Sequence, residues 1–217
     1  MDNKIKAVIF DMDGTLVDTE KWFRIFWPEA LKKAGYEMSD EQALFVRSLG
    51  KPYSVANFKE WYGEDFDYEA VRNIRRGIMK DYFADHEYEL KKGAIEIMEI
   101  LKEKNICIAL ATATPLDRAG DTLKRVGLYD YFDEIISATM VEKGKPAPDI
   151  YLYACDKLGL KPEECLVVED SPNGVISGYL AGCKTVMVPD QTPVTEELRP
   201  MLYGEAQDLS KLAVFLA

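Results

Sequence analysis

The chain has 217 residues, 47% of them apolar, with 38 acidic side chains against 27 basic ones and a formal charge of −11. That is enough apolar chain for one core carrying an insert, which excludes a disordered polypeptide. The acidic balance excludes a nucleic-acid partner, which needs a basic footprint, but not a small phosphorylated metabolite, because a bound metal ion can reverse the local field.

Residues 5–10 form a short, largely β-branched apolar run that ends in acids, the pattern of a buried strand. Residues 19–34 place Trp22, Phe23, Phe26, Ala30 and Leu31 at helical spacing, with Gly35 as a stop. Ser39 and Asp40 can cap a second helix over 41–48, which ends near Gly50. Helices over 53–62 and 68–83 complete an aromatic, all-helical block. Hinges are expected near 17–19 and 85–92.

From Gly93 the pattern alternates. Helices over 94–104, 116–126, 148–158 and 172–181 are interleaved with strands over 106–111, 134–137, 166–168 and 184–188. Alternation of this kind predicts an α/β fold: a Rossmann-like, three-layer parallel-sheet core. The core takes 1–17 and 86–217, and an inserted α-helical cap takes 18–85.

Cys107, Cys155, Cys165 and Cys183 have neither metal nor disulfide spacing and are expected to be buried, reduced thiols. His86 lies in an acidic stretch beside no nucleophile, so a solvated hinge histidine is expected rather than a Ser-His or Cys-His mechanism. There is no run of about twenty apolar residues and no apolar leader, so neither a membrane nor secretion is expected and a cytoplasmic location is the default.

Ligands of an open parallel sheet bind at the carboxyl ends of its strands. Four predicted loops there carry polar chemistry: Asp11-Met12-Asp13-Gly14-Thr15, Thr112-Ala113-Thr114, Lys143-Gly144-Lys145-Pro146 and Glu169-Asp170-Ser171. Carboxylates crowded at one sheet edge repel one another unless cations sit among them, and a hard divalent ion plus one lysine meets that need. Asp11 and Asp13 can share a pocket if the backbone turns, and Gly14 permits both that turn and the approach of backbone amides to an anion. One carboxylate can then attack phosphorus while the other moves a proton. Taken singly, each loop also fits a blander role: an acidic turn, a loop hydroxyl, a surface lysine, a helix N-cap. No dinucleotide fingerprint, P-loop or zinc-type cluster occurs.

Together these residues resemble the haloacid dehalogenase superfamily. The run Asp11 to Thr19 is similar to its first motif, Thr112 to its second, Lys145 in Gly144-Lys145-Pro146-Ala147-Pro148-Asp149 to its third and Glu169-Asp170-Ser171 to its fourth. The resemblance is to the branch with a helical cap after the first strand, in the β-phosphoglucomutase-like subgroup. It implies that Asp11 is a nucleophile forming an aspartyl-phosphate and that Asp13 is the general acid and then the base. It implies that Thr112 and Lys145 hold phosphoryl oxygens, with Gly14, Thr15 and Ala113 around the substrate phosphate. It implies Mg²⁺ on Asp11, Asp170 and the backbone carbonyl of Asp13, with Glu169 in support. Glu20, Arg47 and Lys51, with Tyr53, are the residues expected to meet the rest of the substrate.

Mutases of this subgroup hold a second phosphate with a lysine and an arginine around a cap glycine, a lysine beyond the second motif, and a hinge histidine. Here Leu49, Tyr53, Thr114-Pro115 and Phe23 occupy those places. The departures favour a phosphatase, with a β-phosphoglucomutase-type sugar phosphomutase as the alternative and a non-catalytic phosphate-binding protein behind it. A monomer or weak homo-oligomer is expected.

Overall fold

The computed structural model describes residues 4–216, so residues 1–3 and 217 of the expected core lie outside it. Six parallel strands run in the order β3-β2-β1-β4-β5-β6. They are β1 Ala7–Phe10, β2 Cys107–Thr112, β3 Glu134–Ser137, β4 Cys165–Glu169, β5 Lys184–Met187 and β6 Gly204–Glu205. β1 is central, with Ala7 opposite Cys107 on one side and Cys165 on the other. From β1 the chain moves outward through β2 to β3, then crosses back to β4 on the other side of β1, and this reversal opens a crevice at the carboxyl ends of β1, β2 and β4.

Alternation along the strands sorts the side chains onto two faces. Val8, Phe10, Ile108, Leu110, Leu166 and Val168 pack on one face with Ile97 and Leu101 of α5 (Ala94–Glu103). Ala7, Ile9, Ala109, Ala111 and Val167 form the other with Ile150, Tyr151 and Ala154 of α7 (Asp149–Leu158). The alanines on that second face let α7 lie close to the sheet, which brings Tyr151 into reach of the acids at its edge. α6 (Leu116–Arg125) and α8 (Pro172–Leu180) complete the helical layers.

Between β1 and α5 lie α1 (Glu20–Lys33), α2 (Asp40–Phe45), α3 (Tyr53–Tyr62) and α4 (Tyr68–Asp85). They carry their own apolar cluster, centred on Trp27, Leu31, Phe58, Phe66, Tyr68 and Val71. Ser39 starts α2 through a capping box, accepting from Gln42 N while the Gln42 side chain accepts from its own amide. α2 ends at Phe45 rather than at 48, because the chain turns through Ser48 at φ 51.

One further expectation is corrected. Cys107 is exposed, because it is the outermost residue of β2 and only the five residues after it are covered. β6, two residues long, was not expected; so short a strand leaves no periodic pattern. His86 is exposed, closing α4 with its ring stacked on Tyr82. No helix among the described residues is long and apolar enough to cross a membrane.

Candidate active site

The Asp11 amide donates to the Val168 carbonyl at 3.0 Å, extending the β1–β4 pairing by one residue and delivering the carboxylate to the sheet edge. Lys145 Nζ donates to Asp11 Oδ1 at 2.5 Å, to Glu169 Oε1 at 2.6 Å and to the Ala111 carbonyl at 3.0 Å. An ammonium has three N–H groups, and all three are used. The Tyr151 hydroxyl donates to Glu169 Oε1 at 2.6 Å, while Glu169 Oε2 accepts from the Asp170 amide and the Ser171 hydroxyl. Gly174, in the first turn of α8, leaves room for that carboxylate: a Cβ there would lie 1.8 Å from Glu169 Cδ.

Asp11, Lys145, Glu169 and Asp170 are all buried. Burial pushes the Asp11 carboxyl well above the usual carboxylate range, with Lys145 pulling the other way. Burial also raises Asp170, to about 7, against the guanidinium of Arg47. Burial opposes the charge on Lys145, but Asp11 and Glu169 outweigh it and hold the lysine pKa above its ordinary value. Two of the buried acids, Asp11 and Glu169, thus share one lysine, and Asp170 faces Arg47. Oδ2 of Asp11 and Oδ2 of Asp170 have no hydrogen-bond partner. Asp11, Glu169 and Asp170 can each offer an oxygen within 4.8 Å of the others, a donor set that suits a hard divalent cation.

Asp13 is held differently. The Thr19 hydroxyl donates to its Oδ1 at 2.6 Å and the Thr114 hydroxyl to its Oδ2 at 2.8 Å. Its carboxylate lines the cleft but lies outside the acid cluster. Thr112 is fully buried, and its hydroxyl oxygen accepts the Thr114 amide at 3.0 Å, leaving the O–H proton to donate.

Among the expected substrate contacts, Ala113, Glu20 and Arg47 line the cleft. Three others do not. Gly14 has φ +84 and must be glycine, since a Cβ would meet Asp170 Oδ2 at 2.6 Å, but its amide donates to the Val17 carbonyl and is not available to an anion. Thr15 is buried with its hydroxyl on Asp170 Oδ1 at 3.3 Å, so it positions an acid rather than a substrate. The Lys51 ammonium points outward, half-exposed, paired with Glu69 and lying over the Tyr68 ring. Tyr53 does not line the cleft either. Sequence reasoning missed Thr19, Thr114, Tyr151, Arg72, Arg75 and Arg118. Thr114 carried one usable clue, because it stands two residues beyond Thr112.

The helical insert is seated on this edge. Arg47 Nη2 lies 3.4 Å from Asp170 Oδ2, 3.3 Å from the Asp170 carbonyl and 3.1 Å from Thr192 Oγ1. Gly50 N donates to the Lys145 carbonyl at 2.8 Å, and Gly144 N returns a bond to the Lys51 carbonyl at 2.7 Å. A Cβ on Gly50 would sit 2.5 Å from Gly144 Cα, so the two backbones meet only because both residues are glycine. Gly50→Ala is therefore expected to hold the insert off the Lys145 loop and lower kcat/KM for phosphate release by about tenfold to a hundredfold, the scale of an ångström misplacement. Gly77→Ala, on α4 with nothing within 4 Å of its Cβ, is the control and is expected to leave the rate unchanged. Equal steady-state rates for the two variants would rule out the glycine contact.

Fold and site place the chain among hydrolases of Rossmann-like fold whose chemistry runs on carboxylates at the edge of a parallel sheet. It belongs to the haloacid dehalogenase-like hydrolase family, whose model matches residues 5–182. It is 33% identical over 196 residues to a phosphorylated carbohydrates phosphatase of Thermotoga maritima, covering 84% of each chain. It is 30% identical over 191 residues to hexitol phosphatase B of Escherichia coli, covering 86% of this chain and 84% of that one. Its fold is that of the β-phosphoglucomutase-like branch: a β-phosphoglucomutase structure from Clostridium difficile superposes with a TM-score of 0.81 at 23% identity, covering 96% of this chain and 93% of that one.

Proposed function

We propose that the chain is a Mg²⁺-dependent phosphomonoester hydrolase that works through an aspartyl-phosphate on Asp11, with residues 18–85 as its cap and a small phosphorylated carbohydrate as its substrate. One observation carries this reading: Lys145 fixes one oxygen of Asp11 and leaves the other unpartnered. That free oxygen, Oδ2, attacks phosphorus as the bond to the leaving oxygen breaks. Asp13, steadied by Thr19 and Thr114, gives a proton to the leaving alcohol. The same carboxylate then takes a proton from the water that hydrolyses the acyl phosphate. The free O–H of Thr112 holds a phosphoryl oxygen, while Lys145, its three N–H groups engaged, orients Asp11 and supplies positive charge beside the transferred group.

Asp11, Asp170 and the backbone carbonyl of Asp13 would hold Mg²⁺. The ion supplies positive charge where a phosphate dianion must meet buried carboxylates. Glu169, whose oxygens already serve Lys145, Tyr151, Ser171 and the Asp170 amide, supports the set from behind.

A phosphate-release screen over phosphorylated carbohydrates tests the reading. Activity is expected to fall at least about a hundredfold in EDTA and to return with Mg²⁺. Full activity in EDTA would overturn the metal requirement. β-Glucose 1-phosphate with a bisphosphate activator is expected to yield free phosphate and no 6-phosphate; accumulation of the isomer would make the chain a mutase.

A further inference from the structure

The cleft holds guanidinium groups that neither the transferred phosphate nor the acid cluster accounts for. Arg47 is engaged with Asp170, but Arg72 and Arg75 of α4 and Arg118 of α6 also line the cleft. Arg75 is 7% exposed. Its guanidinium is held between Phe23 and Trp27, 4.5 and 4.7 Å from the ring centroids. Those rings fix its plane but accept no full hydrogen bond. Its Nε has no partner, and its Nη1 has only the Met79 sulfur at 3.6 Å. Burial, helped by Arg118 and Arg72, pushes its pKa down to about 9.

Among the described residues Arg72 pairs only with Glu69, at 3.8 Å, and Glu69 is already paired with Lys51. Arg118 forms no ion pair with the described residues. None of the acids of the same cleft pairs with these three arginines: Asp11 is held by Lys145, Asp13 accepts from two threonine hydroxyls, and Glu20 keeps Oε2 without a hydrogen-bond partner. Two of the three arginines belong to the insert and one to the core, so like charges face each other across the closure. In a chain of net charge −11, such a cluster is no by-product of a basic surface. A buried, oriented, unpartnered guanidinium is a receptor for a planar or tetrahedral anion.

We propose that the substrate carries a second anionic group, a carboxylate or a further phosphate, at the end remote from the phosphate that is transferred. Arg72, Arg75 and Arg118 receive it, and the one anion draws the insert and the core together. This rests on the phosphatase reading for the identity of the first phosphate. It is narrower than a phosphorylated carbohydrate, since it disfavours substrates with a neutral tail.

The test is binding to the full-length Asp11→Asn variant with Mg²⁺, by calorimetry, using matched pairs of phosphomonoesters. Glycerol 3-phosphate against 3-phosphoglycerate, and glucose 6-phosphate against 6-phosphogluconate, compare neutral with carboxylate ends. Fructose 1-phosphate against fructose 1,6-bisphosphate compares a neutral with a phosphate end. The charged member of at least one kind of pair is expected to bind tenfold or more tightly, and which kind it is identifies the anion. Arg118→Met, at a half-buried position, and Arg75→Met are expected to bring that ratio to about one. Equal binding within both kinds of pair overturns the proposal, as does a preference that survives both variants. Failure of the wild-type chain to release phosphate would count against the phosphatase reading alone, because the binding ratio is measured without turnover.

Discussion

Asp11→Asn is expected to lower phosphate release by at least about four orders of magnitude, the scale seen when a covalent nucleophile is removed. The amide matches the carboxylate in size, and its oxygen can still accept from Lys145 Nζ, now at 2.5 Å from Asp11 Oδ1. What disappears is the free, unpartnered Oδ2. Burial already disfavours the charged form of Asp11, so losing its charge relieves a desolvation cost. Melting in the absence of metal should therefore be unchanged or slightly higher, while stabilisation by added Mg²⁺ should shrink because a charged ligand is gone. The two readouts separate chemistry from folding. Activity within tenfold of wild type would remove Asp11 from the mechanism, whatever happened to the melt.

The layered fold was legible because the two hydrophobic periods rarely conflict in this chain. The buried run at β1, the alternating helices and strands after Gly93 and the aromatic helices between them each have one consistent reading, and the strand ends placed Asp11, Lys145 and Asp170 at one edge. What stayed hidden was the direction of side chains within loops. Thr15 lies two residues beyond Asp13, yet it turns toward Asp170 because the chain reverses at Gly14 and the Val17 carbonyl takes the Gly14 amide. Lys51 sits beside the glycine that touches the Lys145 loop, but its side chain leaves on the opposite side, toward Glu69. Arg72 and Arg75 share one face of the 68–83 helix, a face to which the sequence alone assigned no role. Only the packing of α4 over the core turns that face inward, and their spacing of three residues was the one local clue that they share it. The positions that mutases fill with cations are indeed uncharged here at Leu49 and Pro115. Besides Arg47, the cleft nonetheless takes positive charge from α4 and α6, which no motif comparison at the α2–α3 loop could reveal.

Lys145→Met is expected to damage both stability and activity, and the two losses should respond differently to conditions. The wild-type ammonium serves Asp11, Glu169 and the Ala111 carbonyl from a site 2% exposed. Methionine fills much of the same space but leaves Asp11 with no cation and Glu169 with Tyr151, Ser171 and the Asp170 amide alone. Breaking a buried ion pair from one side costs about 3–5 kcal/mol. In a chain of this length each kcal/mol lowers the melting temperature by about 2–4 °C. Mg²⁺ should recover part of that loss, because it supplies charge to the same acids. Lower pH should recover part as well. The Asp11 pKa is raised in the fold by burial, and Lys145 is the group that pulls it down. Without the lysine the folded value rises further above the unfolded one. Folding then takes up a proton, so the deficit is smallest near the ordinary carboxylate pKa and grows as pH rises through the raised value. Activity should behave otherwise, falling by about 10²–10³-fold at every pH and metal concentration, since no added ion restores the bond from Lys145 that fixes Oδ1 of Asp11 and aims its other oxygen. A stability deficit that neither Mg²⁺ nor acid reduces would mean that Lys145 holds the fold by packing, and that the acids around it are not the charge it compensates.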